Sequence, residues 1–422
     1  MQHITYDDTV EYSTGKRPFI ELFDWSVFLT AAMLVALGLI SIYSATFDGK
    51  MSPYFIKQLQ YTVIGFIVMG SIAFMPERWI SLSAYGVYGI TLLLLVAVVV
   101  IGKTVYGSKS WLYLGSIGFQ PSELAKIGTI LALAEFISRK GVDLRTLRDL
   151  GTSVAIVAVP IALIMLEPDF GSASVFIAML LGVFLWAGVD LFLLFVIVAA
   201  PMTAISAFVG KTWFYAVAAI FSVWAVLFRR GIVLSIVAVS LIIGLGFSAS
   251  YVYDVLKQHQ KDRIQTFLNP ESDPRGKGYH VIQSVMAVGS GGLTGKGFMH
   301  GTQTQLRYIP KQWTDFIFCV PTEEFGFVGG VMVIALLGMV VFRAVSIASV
   351  ARNKFSAITS IGVATLMLYH TLVNIGMAIG VFPVMGIPLP FLSAGGSSLI
   401  VNFTCIGLLL NAHRTRQGKV RG

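Results

Sequence analysis

Charge is what this sequence has least of. Only 12% of its 422 residues are charged, where a soluble domain carries about a quarter. A water-facing surface for a chain this long cannot be built from so few, and 56% of the residues are hydrophobic, so lipid must cover much of it. Cysteine is nearly absent: Cys319 and Cys405 stand in no motif, which excludes a disulfide framework and a zinc site. Histidine is sparse too. His280 and His300 lack ligand spacing, so no dedicated metal site is expected. The polar start, with Asp7, Asp8 and Glu11, lacks the basic opening and early apolar core of a cleavable signal peptide. Acidic residues are outnumbered 21 to 30, for a formal charge of +9. That excess alone would suit nucleic acid, but the basic residues lie in short clusters between apolar runs, as loops of a membrane protein do.

Long apolar runs are what the chain has in plenty. A membrane-spanning helix needs roughly 17–25 residues, and such runs fall near 25–45, 56–75, 80–101, 121–138, 152–167, 171–188, 191–209, 212–228, 231–255, 325–345, 356–380 and 394–412. The expected fold class is an all-α polytopic membrane protein of about 12 transmembrane helices. Its expected divisions are a cytoplasmic N-terminal segment (1–24), nine spans (25–255), a large extracytoplasmic loop (256–322), three more spans (323–412) and a cytoplasmic tail (413–422). Cytoplasmic loops retain an excess of Lys and Arg. Placing both termini inside gathers Lys16–Arg17, Arg139–Lys140, Arg145, Arg148, Arg229–Arg230, Arg352, Lys354, Arg414 and Arg416 on that side. The short outer loops keep only Lys50, Lys57, Lys103, Lys109 and Lys211.

The 256–322 segment is polar yet holds Tyr279, Val281, Ile282, Val285, Met286, Phe298, Tyr308 and Ile309. That is too much apolar content for disorder, and a folded cap on the membrane helices is expected. Its run Gly289-Ser-Gly-Gly-Leu-Thr-Gly-Lys-Gly297 suits either a flexible turn or a phosphate contact aided by Lys296. An ATP loop is excluded, because Ser290 stands where a Walker pattern needs Gly, and Gly297 where it needs Ser or Thr. Downstream, Asp315 sits between a basic stretch (Arg307, Lys311) and an apolar one. Such a carboxylate suits a general base, and Thr314 and Asp315 equally suit an N-cap, with Glu323-Glu324 at the next helix start.

Glu123 and Lys126, spaced i, i+3 behind Pro121, share one face of a membrane helix, and a salt bridge locking helix packing is the favoured reading. Glu167-Pro-Asp-Phe-Gly171 reads as a tight turn, with Asp169 a turn residue first and a site candidate second. The Pro- and Gly-rich stretch from Phe382 to Ser398 is a second interruption, tolerated at membrane depth only where protein or a water-filled cavity satisfies its backbone. Together the breaks predict a cavity opening outward.

Taken together, Ser110-Trp-Leu-Tyr-Leu-Gly, Gln120-Pro-Ser-Glu-Leu-Ala-Lys126, Pro168-Asp-Phe-Gly, the 267–330 loop and Ile387-Pro-Leu-Pro resemble the SEDS family (shape, elongation, division and sporulation). Gly278-Tyr-His-Val-Ile-Gln-Ser284 and Gly301-Thr-Gln-Thr-Gln are similar to its elongation, RodA-like branch. The resemblance implies a peptidoglycan glycosyltransferase of the bacterial inner membrane that polymerises lipid II, the undecaprenyl-diphosphate-linked disaccharide pentapeptide, during cell elongation and shape maintenance. Asp315 inherits the family's essential loop aspartate through Thr314-Asp315-Phe-Ile-Phe. The implied partners are a class B penicillin-binding protein transpeptidase and other elongation-complex membrane proteins, with no nucleic acid.

Trp111, Lys296, Arg307 and Lys311 are the expected substrate-binding residues, and Glu123, Lys126 and Asp169 the supporting ones. No cofactor is certain; a divalent cation (Mg or Mn) bridging carboxylate and substrate diphosphate is a candidate. Three departures stand out: a helical hairpin over 191–228 beyond the family's usual ten crossings, Ala394 where Tyr is common, and Trp313 where His is common beside the aspartate. The rival readings are a lipid II transporter, favoured by broken helices and a paired intramembrane charge, and a non-catalytic scaffold of the cell-wall complex.

Overall fold

The computed structural model describes residues 23–105, 108–115, 117–228, 231–255, 261, 277–306, 308–309 and 312–416. The run opens with three long helices, α1 (Trp25–Thr46), α2 (Pro53–Phe74) and α3 (Glu77–Ile101). A three-stranded antiparallel sheet follows, β1 (Lys103–Val105), β2 (Ser108–Leu114) and β3 (Ile117–Phe119), in the order β1-β2-β3. Then come α4 (Pro121–Ser138), α5 (Leu147–Leu166), α6 (Phe170–Trp186), α7 (Leu191–Val209), α8 (Lys211–Leu227) and α9 (Ile232–Val255). The loop contributes α10 (Lys277–Ser290), α11 (Thr302–Gln305) and α12 (Cys319–Glu324), before α13 (Gly326–Ser349), α14 (Lys354–Ala378) and α15 (Gly396–Thr415).

Local chemistry sets the helix starts. The Asp24 carboxylate accepts from the backbone N–H of Ser26 and Val27 at the head of α1. Ser52 caps α2 ahead of Pro53, Thr146 caps α5 through Asp149 N, and Asn353 caps α14 through Ser356 N. These are residues that satisfy the orphan donors of a helix N-terminus. At the other end of α3, Lys109 from β2 donates to the carbonyls of Val99 and Val100 at 2.8 and 2.9 Å, satisfying the orphan acceptors there.

A helix occupies each apolar run expected from the sequence, and eight are long and apolar enough to cross a membrane. The chain is a multi-pass membrane protein. The small sheet over 103–119 was not expected: its strands are three to seven residues long and too short to show a clear alternation.

The packing divides the helices by burial. α4, α14 and α15 are buried nearly all round, whereas α2, α3 and α5 bury single stripes and turn the rest outward. A helix apolar on every side belongs in the middle of a bundle, and one exposing Leu, Val and Ile belongs against lipid. The largest apolar cluster joins α1, α4, α13, α14 and α15. Helices α7, α8 and α9 form their own bundle around Phe192, Val196, Ala199, Ala225, Ala238 and Ile242. It meets the main body chiefly where Phe184 of α6 packs on Val189 and Leu194. The expected inserted hairpin, 191–228, therefore packs as one unit with α9.

One end of the bundle is tied by charge. Asp24 pairs with Arg343 of α13 and lies 3.2 Å from His413 of α15. Burial works against the Asp24 charge, but bonds from Arg343, Ser26 and the Val27 amide hold its carboxyl below the usual range. At the other end of α1, Ser44 donates to Glu324 of α12. The loop therefore folds onto the end of the bundle opposite Asp24.

Candidate active site

The candidate site is built from two irregular segments, residues 312–318 and 379–395, laid against each other. The first is a run of turns. Its start is fixed by Gln312, fully buried, whose amide donates to Ala45 O at 3.0 Å and Thr304 O at 2.7 Å. Phe316, Ile317 and Phe318 are buried and anchor its end. Between them, every carbonyl is engaged. Trp313 O accepts from Ala394 N at 2.8 Å, Thr314 O from Ser393 Oγ at 2.7 Å, and Asp315 O from Asn374 Nδ2 at 3.0 Å. Phe316 O and Ile317 O accept from Cys319 N and Val320 N at 3.0 and 3.1 Å. Buried backbone acceptors left without donors are costly, so this pattern holds the half-buried Asp315 on a rigid turn.

The second segment is held as closely. Ser393 Oγ accepts from Leu389 N at 2.8 Å, and Ser393 N donates to Leu389 O at 3.0 Å. Gln58 of α2, 3% exposed, donates to Ser393 O at 3.3 Å and accepts from Gly395 N at 3.1 Å. Phe391 holds φ at +65°, a conformation a bulky residue adopts only when its surroundings impose it. Two glycines let the segment pack close to its neighbours: a Cβ on Gly38 would come within 2.4 Å of Phe391 O, and one on Gly171 within 2.4 Å of Met385 O. The expected interruption over 382–398 is present, and protein satisfies its backbone.

Asp169 N-caps α6, accepting from Ser172 N at 3.0 Å and Ser172 Oγ at 2.7 Å. Its other neighbour is Gln120, whose amide donates at 3.3 Å and whose backbone N–H donates to Ser397 Oγ at 3.2 Å. Asp169 is therefore a turn residue, as its sequence setting suggests, and through Gln120 it is also linked to the first turn of α15. Glu167, 1% exposed, sits in the same turn. Burial pushes its carboxyl up to about 8, against a bond from Ser110, and the charge of Asp169 adds to the rise.

The expected Glu123–Lys126 salt bridge is present at 2.6 Å, with both residues buried. His370 of α14 completes it: its Nε2 lies 3.1 Å from Lys126 Nζ and its Nδ1 3.1 Å from Pro388 O. Lysine only donates, so Nε2 accepts and Nδ1 carries the hydrogen given to Pro388. A buried charge pair is tolerated only when such bonds complete it.

Neither Thr314 nor Asp315 caps a helix, contrary to one sequence expectation. The N-cap position of α12 is Phe318, with no side-chain cap, because the turns end three residues later than the sequence suggested. Glu323 and Glu324 close α12 instead of opening the next span. Lys296 bonds Glu323 Oε1, Ser290 Oγ and Thr302 Oγ1, each at 2.7 Å. Gln303 N and Thr304 N also donate to the Glu323 carboxylate, at 2.9 and 3.0 Å. Burial raises the Glu323 carboxyl, but Lys296 and these donors win and hold it below the usual range. For Glu324 burial wins over the bonds from Ser44 and Gln305, and its carboxyl is raised.

The glycine run of 289–297 is neither a slack turn nor an open cradle. Lys296 N and Gly297 N donate to Glu323 O and Glu324 O at 3.0 and 2.9 Å. A Cβ on Gly291 or Gly295 would meet the α12 backbone at 2.0 or 2.1 Å. Its glycines let two backbones touch.

Trp111 lies on β2, half-buried, across from Lys103 of β1. Arg307 and Lys311 lie outside the described residues, as do 1–22, 256–260, 262–276 and 417–422. Sequence reasoning missed Asn374, Ser393, Gln58 and His370 as partners of the site. The signal available was a His and an Asn spaced i, i+4 in the apolar run of α14.

Over residues 24–217 and 212–418 the sequence matches the FtsW/RodA/SpoVE family of cell cycle proteins. The chain belongs to this family. Among curated SEDS relatives, the peptidoglycan glycosyltransferase MrdB of Escherichia coli (strain K12) is 34% identical over 395 residues, 93% of this chain and 95% of that one. The peptidoglycan glycosyltransferase RodA of Treponema pallidum (strain Nichols) is 33% identical, covering 92% and 97%. Among solved structures, a chain of a peptidoglycan synthase complex that coordinates polymerization and crosslinking superposes with TM-score 0.72 at 29% identity, covering 94% of this chain and 99% of that one. The rod shape determining protein RodA of Thermus thermophilus superposes with TM-score 0.63 at 27% identity, covering 94% and 98%.

Proposed function

We propose that this chain polymerises lipid II at the outer face of the bacterial cytoplasmic membrane, with Asp315 as the general base. It is a peptidoglycan glycosyltransferase of the elongation type, by its kinship with MrdB and RodA over most of its length. The observation that carries the catalytic assignment is the pinned turn: a half-buried carboxylate on a backbone whose neighbouring carbonyls are all tied to buried or half-buried partners. Catalytic groups gain from such preorganisation.

In this reading the twelve long helices each cross the membrane, both ends lie in the cytoplasm, and the loop with α10–α12 faces outward. Asp315 takes the proton of the acceptor sugar hydroxyl. The oxygen attacks the anomeric carbon of the donor, and the lipid diphosphate departs. General-base assistance of this kind contributes about 10²–10⁴-fold. Lys296 is held by three protein partners, which favours a structural role, so Arg307 and Lys311 are the better candidates for the diphosphate. Trp111, close to the Gln120–Asp169 link along the chain, would pack on sugar or lipid. Among the described residues no three His, Cys, Asp or Glu side chains gather as a metal-ligand group. A divalent cation (Mg or Mn) would instead bridge a single carboxylate and the substrate diphosphate, and the steps above use none. The partner would be a class B penicillin-binding protein that cross-links the new strands.

The buried Lys126–Glu123–His370 group and the broken 379–395 segment favour the transporter as the second reading. Purified protein in liposomes separates the two when labelled lipid II is supplied outside. Glycan chains without loss of label to the lumen support the polymerase. Lipid II crossing the bilayer with no chains formed would contradict it.

A further inference from the structure

We infer that Asn374 is a positioning residue for Asp315, an inference that rests on the catalytic reading of that aspartate. Asn374 lies on α14 and is fully buried. Its single amide nitrogen donates one hydrogen to Asp315 O at 3.0 Å and one to Ile387 O at 2.8 Å. Both acceptors belong to irregular backbone, and they come from the two segments that form the site. A primary amide has two N–H groups in one plane, so one side chain fixes the distance and orientation between two carbonyls. No other side chain of this length supplies that, because Asp offers acceptors and Leu offers nothing.

The surrounding contacts show why this clamp matters. His370, one turn earlier on the same face of α14, holds Pro388 O, so the helix grips consecutive carbonyls of the broken segment at 387 and 388. From the other side, Ser393 and Ala394 hold the carbonyls of Thr314 and Trp313. Of these bonds, the one from Asn374 holds the peptide that follows the Asp315 Cα, and the one from Ser393 the peptide that precedes it. Loss of the Asn374 bond frees the following peptide to rotate while Trp313, packed on Tyr54 at 5.1 Å, and the buried Phe316 keep the turn in place. The carboxylate then points in more directions, and a misplacement of about 1 Å costs on the order of 10²-fold in rate. The Oδ1 of Asn374 is buried without a hydrogen-bond partner among the described residues. A group left in that state is tolerated when its other end is needed.

The test compares full-length wild type, Asn374→Leu, Asn374→Gln, Asp315→Asn and the Asp315→Asn/Asn374→Leu double variant, each purified and assayed with lipid II. Asn374→Leu is expected to lower kcat by about 10–100-fold while KM for lipid II stays within about twofold. Asn374→Gln, which keeps the donor, recovers at least part of the loss. The double variant is no slower than Asp315→Asn alone, since positioning is worthless without the carboxylate. Three outcomes overturn the inference: Asn374→Leu at wild-type kcat, a loss that the donor-keeping variant fails to relieve, or a double variant much slower than Asp315→Asn. If Asp315→Asn itself polymerises normally, the catalytic reading fails first, and this is visible in the same experiment.

Discussion

A lysine and a buried carboxylate show how far individual side chains here are decided by their neighbours. Lys296 looked from sequence like a diphosphate contact, yet it is spent on Glu323, Ser290 and Thr302. Lys296→Gln should therefore lower stability by about 1–2 kcal/mol, the worth of a partly exposed charged hydrogen bond. Thermal unfolding checks this, with KM for lipid II expected to be unmoved. A raised KM at an unchanged melting temperature would restore the substrate role.

Glu167 makes a pH prediction. Its carboxyl is ordinary in the unfolded chain, 4.5, and about 8 in the folded one. The proton is held more tightly when folded, so this residue's contribution to stability is full below 4.5 and falls as pH rises, until it is gone above about 8. Unfolding of wild type and Glu167→Gln across that window should show a decline in wild type that the variant lacks.

At the scale of elements, the broken segment 379–395 is the part on which the others converge. It touches α1 at Gly38, α2 at Gln58, α6 at Gly171, α14 at His370 and Asn374, and the Asp315 turn at Ser393 and Ala394. Gly171→Ala puts a methyl group 2.4 Å from Met385 O, a backbone atom that can yield only by moving the segment. A loss of about 1–3 kcal/mol is expected, with lower polymerisation, read by thermal unfolding and the lipid II assay. The long apolar helices were legible in the sequence because runs of this length and apolarity favour membrane-spanning helices, and eight of them are long and apolar enough to cross. So was the Glu123–Lys126 pair, since charges three apart on a membrane helix must meet. The sheet over 103–119 and the clamps by Gln58, His370 and Asn374 were not legible. The strands are too short to show an alternation, Gln58 meets a segment more than 300 residues away, and a lone amide in an apolar run does not say which carbonyl it serves. The N-cap reading of Asp315 failed for a related reason: the residues suit a cap, but tertiary bonds extend the turn to Phe318.

For the whole molecule, the topology has a direct check. Cys319 and Cys405 are both buried, so single cysteines introduced at exposed positions report their side without background. Lys50→Cys should react with an impermeant maleimide added to intact spheroplasts, and Arg145→Cys only after the membrane is opened. The reverse pattern would invert the molecule and move Asp315 to the cytoplasm. The bundle of α7–α9 has its own apolar centre and joins the body mainly through α6, while the candidate site is held by α1, α2, α6 and α14. Everything else rests on the chemistry at Asp315. The deciding measurement is glycan polymerisation from labelled lipid II by purified wild type and Asp315→Asn, each with and without the cross-linking partner, at equal amounts of folded protein. Wild type should form chains and the variant lose at least about 100-fold of that rate, with the partner restoring nothing to the variant. Chains of normal length and rate from Asp315→Asn would contradict it.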